Sequence, residues 1–338
     1  MVVVEDSDDE HIAEEGQEEE EEYMHDEPEG DYMWPDVPAK KREQYAQEVA
    51  AIREVYDDEP DYDPAMVGEY AEDIFEYMQK LEEQVMPNPD YMEAQNEINW
   101  EMRQTLVDWL LQAHLRYHMI PETIWIAVNI VDRFLSKRVV SLSKVQLVGL
   151  AALFIAAKYE EIMAPSVDEF VGLADNGYTR EEILKGERII LTTLGFHISH
   201  YCSPYSWMRK ISRADNYDIQ TRTLCKFLAE VTLLDHRFLR VKPSMIAAIG
   251  MYTSRAMLGG DWDDAFVFHS GYTEEQLIPG HMWLIEKLNE RGFHRNYLVK
   301  KYANRKFLKS STFAIKWARS FFDGSGGAPM SLLSEDQL

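Results

Sequence analysis

The sequence predicts an all-α protein: two tandem five-helix folds, with an N-terminal helix before them and closing C-terminal helices after them. Three observations carry that reading. No stretch holds the two-residue alternation of a half-buried strand, whereas apolar spacings of three and four recur from residue 70 onward. Two stretches, 143–161 and 243–258, are rich in small residues, and the first is apolar on every side for about a dozen residues, the mark of a helix buried at the centre of a bundle. Finally, Tyr178-Thr179-Arg180-Glu181-Glu182-Ile183 is echoed 94 residues later by Tyr272-Thr273-Glu274-Glu275-Gln276-Leu277, the economical explanation being a tandem duplication.

Residues 1–63 form an acidic tail, with unbroken glutamate over 18–22. They are expected to be disordered, because so little apolar surface cannot offset the entropy of ordering. Inside the tail, Lys40, Lys41 and Arg42 make a short basic cluster, readable as a weak nuclear-import signal or as solvated charge. Residues 64–99 hold the N-terminal helix and a linker. Tyr70, Ile74, Phe75, Tyr77, Met78 and Leu81 fall at helical spacing, Pro87 and Pro89 stop the helix, and its narrow aromatic stripe should lie against the outside of the bundle that follows.

The first five-helix unit spans 100–198. Its helices are 100–117; 121–137, opened by Pro121 at the first helical position; the hub, 143–161; a short fourth begun by a Ser166/Glu169 capping box; and a fifth begun by Thr179/Glu182 that ends near Gly195. The second unit spans 199–308, with helical patterns at 205–213, 219–235 and 243–258, the last stopped by Gly259 and Gly260. Stretches 297–306 and 311–322 are closing helices, and the final segment, 309–338, runs into a flexible Gly- and Ser-rich end from Asp323.

The formal net charge of −26 is unevenly placed. Through Asp63 there are 25 acidic residues against 4 basic ones; beyond it there are 35 against 30, so the folded part is nearly balanced. Cys202 and Cys225 lie in no CxxC pair and are too few for a zinc cluster, which suits a reduced, intracellular chain. No apolar run approaches the ~20 uncharged residues that span a bilayer, and no secretory leader follows Met1. No Gly-rich phosphate loop, HExxH or GxSxG occurs, so enzymatic chemistry has no motif behind it.

Three constellations draw notice. The hub leaves the core in charge, at Lys158, Tyr159, Glu160 and Glu161, and its two glutamates sit at the unfavourable end of the helix dipole. On the fifth helix, Glu187 stands inside the apolar stripe of Ile183, Leu184, Ile190, Leu191 and Leu194. Unpaired there it would cost on the order of several kcal/mol, so a cation should reach it, and Lys158 is the best placed. That couple reads either as a structural salt bridge or as an exposed charged pair, ringed by apolar residues, that docks another protein's backbone. The first helix carries two stripes: Val107, Leu110, Leu111 and His114 toward the hub, and Met102, Leu106, Trp109 and Ala113, which the N-terminal helix could cover or which could remain a shallow peptide groove. Arg103 and Asp132, both set among apolar neighbours, read as a buried structural ion pair.

Taken together, Met102-Arg103-Gln104-Thr105-Leu106-Val107-Asp108-Trp109, Val131-Asp132-Arg133-Phe134-Leu135 and Lys158-Tyr159-Glu160-Glu161-Ile162, in this order and spacing, resemble the cyclin box. The stretch 70–317 resembles fungal G2/mitotic, B-type cyclins. The resemblance implies two tandem cyclin folds and a non-catalytic, activating subunit of a cyclin-dependent serine/threonine kinase, with no cofactor or metal of its own, located in nucleus and cytoplasm and acting at the G2/M transition. It turns Lys158 and Glu187 into ligands for backbone near the kinase's PSTAIRE helix, with Tyr159, Glu160, Glu161, Ile162, Leu191 and Phe196 around them. It also implies a substrate-docking groove for basic-x-leucine motifs of substrates or inhibitors, with Met102, Leu106 and Trp109 as floor and Gln146 as hydrogen-bonding partner. Thr105, where isoleucine is usual, and Gln112, where A-type cyclins carry glutamate, predict a weaker groove or one of altered preference.

The resemblance leads one to expect an RxxL destruction box near the start. None precedes Arg103, and Arg103-Gln104-Thr105-Leu106 lies on a packed helix, so either the sequence begins partway into the protein or its turnover signal lies elsewhere. Two other classes compete with this reading: a tandem cyclin-fold transcription factor binding DNA, which would need a basic face and usually a zinc ribbon, and an enzyme without a recognisable motif. The balance of charge and the missing cysteine cluster point away from nucleic acid, and nothing points to a membrane.

Overall fold

The structure is a computed structural model that describes residues 34–56, 70–198 and 201–322. The glutamate run, the stretch 57–63 and the tail from Asp323 therefore lie outside the described residues. Fourteen α-helices and no strand occur among the described residues.

The first bundle comprises α3 (Trp100–Arg116), α4 (Pro121–Leu135), α5 (Val145–Glu160), α6 (Val167–Leu173) and α7 (Arg180–Thr193). Local chemistry sets their starts. The Asn99 side chain accepts from the Met102 N–H at 3.0 Å and caps α3, Pro121 opens α4, and reciprocal Ser166/Glu169 and Thr179/Glu182 boxes start α6 and α7. The hub α5 is buried from Gly149 to Ala157 and packs against α3, α4, α6 and α7. Its small residues are what allow this: a Cβ on Gly149 would come within 2.7 Å of Leu106 Cδ1 on α3. The stretch Leu142–Glu160 is long and apolar enough, by length and composition, to cross a membrane, although its charge-free part, 145–157, stays well short of the ~20 residues expected of a span. Lys144, at its polar start, interrupts the apolar count, and the stretch packs inside the bundle.

The second bundle repeats the plan with α8 (Pro204–Ile211), α9 (Ile219–Leu233), α10 (Pro243–Leu258), α11 (Asp264–Ser270) and α12 (Glu274–Asn289). Here α10 is the hub, packed against α8, α9, α11 and α12, and Gly280 of α12 lies so close to Ile249 of α10 that a Cβ would collide with it. The closing helices are α13 (Tyr297–Tyr302) and α14 (Ser310–Phe322). α13 touches both α3 and α9, and Asp108 of α3 accepts from the Tyr297 N–H at 2.8 Å, so α13 bridges the repeats. α14 packs along α12, where His281 hydrogen-bonds Thr253 at 3.0 Å and lies edge-on to Trp317 and Phe321.

Buried charge also ties the repeats together. Arg103 grips Asp132 through Nε and Nη2, both at 2.7 Å, and its Nη1 donates to the Leu233 carbonyl of the second bundle at 2.9 Å, while the Tyr91 hydroxyl donates to Asp132 at 2.9 Å. Burial works against the Arg103 charge, but the facing Asp132 carboxylate more than compensates and raises its pKa.

Two placements differ from expectation. Residues 39–55, within the stretch expected to be disordered, form helix α1 (Ala39–Val55), because docking on the second bundle buries Tyr45 and Val49. The N-terminal helix α2 (Ala71–Gln84) engages the second bundle as well, meeting the one that follows it in sequence at its C-cap, where the Val85 carbonyl accepts from Asn129 of α4 at 2.8 Å. Phe75 packs on Trp207 of α8 at 5.2 Å, and Glu82 accepts from the Ser244 N–H (2.9 Å) and hydroxyl (2.6 Å) at the head of α10. A helix N-terminus presents free N–H donors and positive potential, which offset part of the cost of burying this carboxyl group.

Candidate docking face

The last turn of α5 delivers Lys158 to the surface, and α7 brings Glu187 up from its apolar stripe to meet it. The two form an ion pair in which the Glu187 side chain is 11% exposed and that of Lys158 is 44% exposed. The ammonium also sits 4.4 Å above the Phe154 ring, so an aromatic face and a carboxylate fix its position together. Since the lysine is open to solvent, the couple can still offer a donor and an acceptor to an incoming backbone.

Apolar side chains surround that couple while facing water. Tyr159 is half exposed, Ile162 and Met163 are almost wholly exposed at the turn after α5, and Ile189 and Phe196 are exposed on and after α7. Leu191 is half-buried. Phe196 reaches its place through a left-handed backbone, φ +61°, directly after Gly195 at φ +59°, and its N–H closes α7 on the Leu191 carbonyl at 2.9 Å. The two acids differ in role. Glu161 turns inward, accepting from the Ile120 N–H at 2.8 Å and the Thr123 hydroxyl at 2.5 Å, and so caps α4. Glu160 faces two other carboxylates; burial, then Glu122 and Glu161, push its carboxyl pKa up. Sequence reasoning missed Met163 and Ile189, since an isolated exposed apolar residue in a turn or on a polar helix face has no periodic signal.

The second candidate surface lies on α3. α2 is engaged on the second bundle, leaving Met102 and Trp109 half-buried beside a buried Leu106, with Thr105, Gln112 and Gln146 exposed. The Thr105 hydroxyl donates to the Glu101 carbonyl at 2.9 Å, so this position offers a satisfied polar rim in place of a branched apolar one. Gln112 hydrogen-bonds Asp108, whose carboxyl pKa is raised by burial despite this bond and those from the Tyr297 and Leu298 N–H groups. Among the described residues no group of three or more His, Cys, Asp or Glu is placed to hold a metal ion.

Two duplicated five-helix bundles, one of them presenting a charged couple inside an exposed apolar ring, define a helical scaffold for docking. Family comparisons agree in detail: the model of the cyclin N-terminal domain matches residues 73–199, and that of the cyclin C-terminal domain matches 202–316. The chain is 52% identical over 258 residues to the G2/mitotic-specific cyclin cdc13 of Schizosaccharomyces pombe, covering 76% of this chain and 53% of that protein. It is 44% identical over 296 residues to the G2/mitotic-specific cyclin cig1 of the same yeast, covering 86% and 71%. Among solved structures, a viral cyclin from herpesvirus saimiri superposes with a TM-score of 0.53 at 16% identity, over 73% of this chain and 99% of that one, a likeness of fold. The chain belongs to the cyclin family, and these relatives are G2/mitotic cyclins of fungi. It spans about half the length of cdc13.

Proposed function

We propose that this chain is the activating regulatory subunit of a cyclin-dependent serine/threonine kinase that acts at G2/M. The observation that carries the reading is the Lys158–Glu187 couple, solvent-reachable at its lysine and set inside a ring of exposed Tyr159, Ile162, Met163, Ile189 and Phe196. A soluble bundle gains nothing by exposing such a cluster, whereas an interface core needs apolar area around a few fixed polar groups. The mechanism is a population shift: by binding the active arrangement of the kinase more tightly than the inactive one, the chain turns the kinase helix that supplies the glutamate partner of the catalytic lysine. Glu161 serves this face indirectly, by holding α4 against the end of α5.

The test is co-purification. A kinase should be recovered with the wild-type chain and lost with the paired Lys158→Ala and Glu187→Ala changes; undiminished recovery would refute the role of the couple. Met102, Leu106, Trp109 and Gln146 are the proposed groove for basic-x-leucine segments of substrates and inhibitors, with Thr105 and Gln112 modifying its preference. Trp109→Ala should then reduce phosphorylation of substrates that carry the motif while sparing others. A nuclear and cytoplasmic distribution fits a kinase subunit of this kind and is checked by imaging a tagged chain.

A further inference from the structure

The segment 34–56 touches the second bundle at points spread along its whole length. Trp34 packs at a tilt against Trp283 of α12 with ring centroids 4.6 Å apart, Lys41 pairs with Glu275 in the first turn of α12 at 2.6 Å, and Tyr56 meets Phe268 of α11 at 4.8 Å. Between them, Tyr45, Val49 and Ile52, at i, i+4 and i+7, turn inward, and Arg53 passes so close to Gly271 that a Cβ there would stand 3.2 Å from its guanidinium. Yet α1 is poorly equipped to be a helix alone. Pro38 provides no side-chain cap, the first turn contains Lys40, Lys41 and Arg42 where the helix dipole favours acids, and only Tyr45 and Val49 of its 17 residues are buried. A short polar helix with these faults is marginal in water, so α1 owes its helicity to the surface beneath it.

We propose that residues 34–56 are a releasable ligand of the second bundle, held in cis, and that the surface formed by α11 and α12 is a docking groove for helices of the same chemistry. That chemistry is specific: an aromatic-proline head for Trp283, a cationic first turn for Glu275, apolar residues at i, i+4 and i+7, and an aromatic end for Phe268. A partner helix of this kind must displace α1, which belongs to the same chain and so competes as an intramolecular ligand. The groove lies on the bundle that does not carry Lys158 and Glu187, so this inference does not depend on the kinase reading.

The experiment titrates a fluorescein-labelled peptide of residues 34–56 into the full chain by fluorescence anisotropy. The full chain with Tyr45→Ser and Val49→Ser, whose own α1 is undocked, should bind the peptide at least tenfold more tightly than the wild type, whose groove is filled. Equal binding by both chains, or binding by neither, overturns the proposal. Adding Glu275→Lys to the variant should weaken the peptide at least fivefold, and a Lys41→Glu peptide should recover it; failure to recover overturns the proposed register. Hydrogen exchange on the unaltered chain guards against a misfolded variant. The α1 amides should exchange while α11 and α12 stay protected, and exchange of all three together would make α1 an integral helix and defeat the proposal.

Discussion

Phe196 shows how one residue can serve a surface at the expense of its own backbone. Its φ of +61° is a conformation that a bulky L-residue adopts at a cost of about 1 kcal/mol or more, and its ring gains little burial in return. Phe196→Gly should therefore leave the melting temperature unchanged or slightly raised while weakening kinase affinity about tenfold, as calorimetry and a binding titration would read; a large fall in melting temperature would show that the ring is structural. Glu82 is the opposite case, a carboxylate kept inside. Burial pushes its pKa up from 4.5 to about 7, against the pull of the Ser244 hydrogen bonds and Lys242. Because the folded value lies above the unfolded one, its contribution is complete below about pH 4.5 and is lost as pH rises through 7, on the order of 3 kcal/mol in all. In denaturant titrations across that range, the stability difference between wild type and Glu82→Gln should shift by that amount in favour of Gln; a flat difference would mean that the carboxylate is not buried in solution.

At the scale of the element, the joint between α3 and α5 links hub packing to the groove. Leu106 is both the floor of the α3 surface and the side chain that a Cβ at position 149 would strike at 2.7 Å. Gly149→Ala should push Leu106 outward, costing about 1–3 kcal/mol by overpacking and weakening leucine-motif peptides while kinase co-purification persists. Unaltered peptide affinity in a calorimetric titration would uncouple the two. Helix legibility in the sequence tracked the apolar pattern closely. α5 and α10 announced themselves by small residues and α7 by its capping box, and Glu187 betrayed a partner by standing in an apolar stripe. α1 did not, since two buried side chains among so many charges leave no stripe to read; nor did α11, whose seven residues bury Phe266, Val267, His269 and Ser270 in a run too short for periodicity. The seat of α2 was hidden for another reason: its destination is the head of a helix more than 150 residues away, a property of Ser244 and not of α2 itself.

Across the whole molecule, the Arg103–Asp132 pair does what no bundle can do alone, since the Leu233 carbonyl it holds belongs to the other repeat. Arg103→Leu should cost about 3–5 kcal/mol by stranding a buried carboxylate, whereas Arg103→Leu with Asp132→Leu should recover much of that loss in chemical denaturation, short of the lost contact to Leu233. Additive single effects would show that the two do not act as a pair. The duplication itself was plain in the echo of Tyr178 at Tyr272, yet the echo also aligns Glu187 with His281, and there the two halves part company. In the second bundle the acid is replaced by an imidazole whose pKa burial lowers to about 4, hydrogen-bonded to Thr253 and roofed by Trp317 and Phe321 of α14. A doubled protein with two equal faces would be divalent, able to bridge partners into chains. By lowering α14 over the second of these positions, this protein leaves the exposed charged couple on one repeat only.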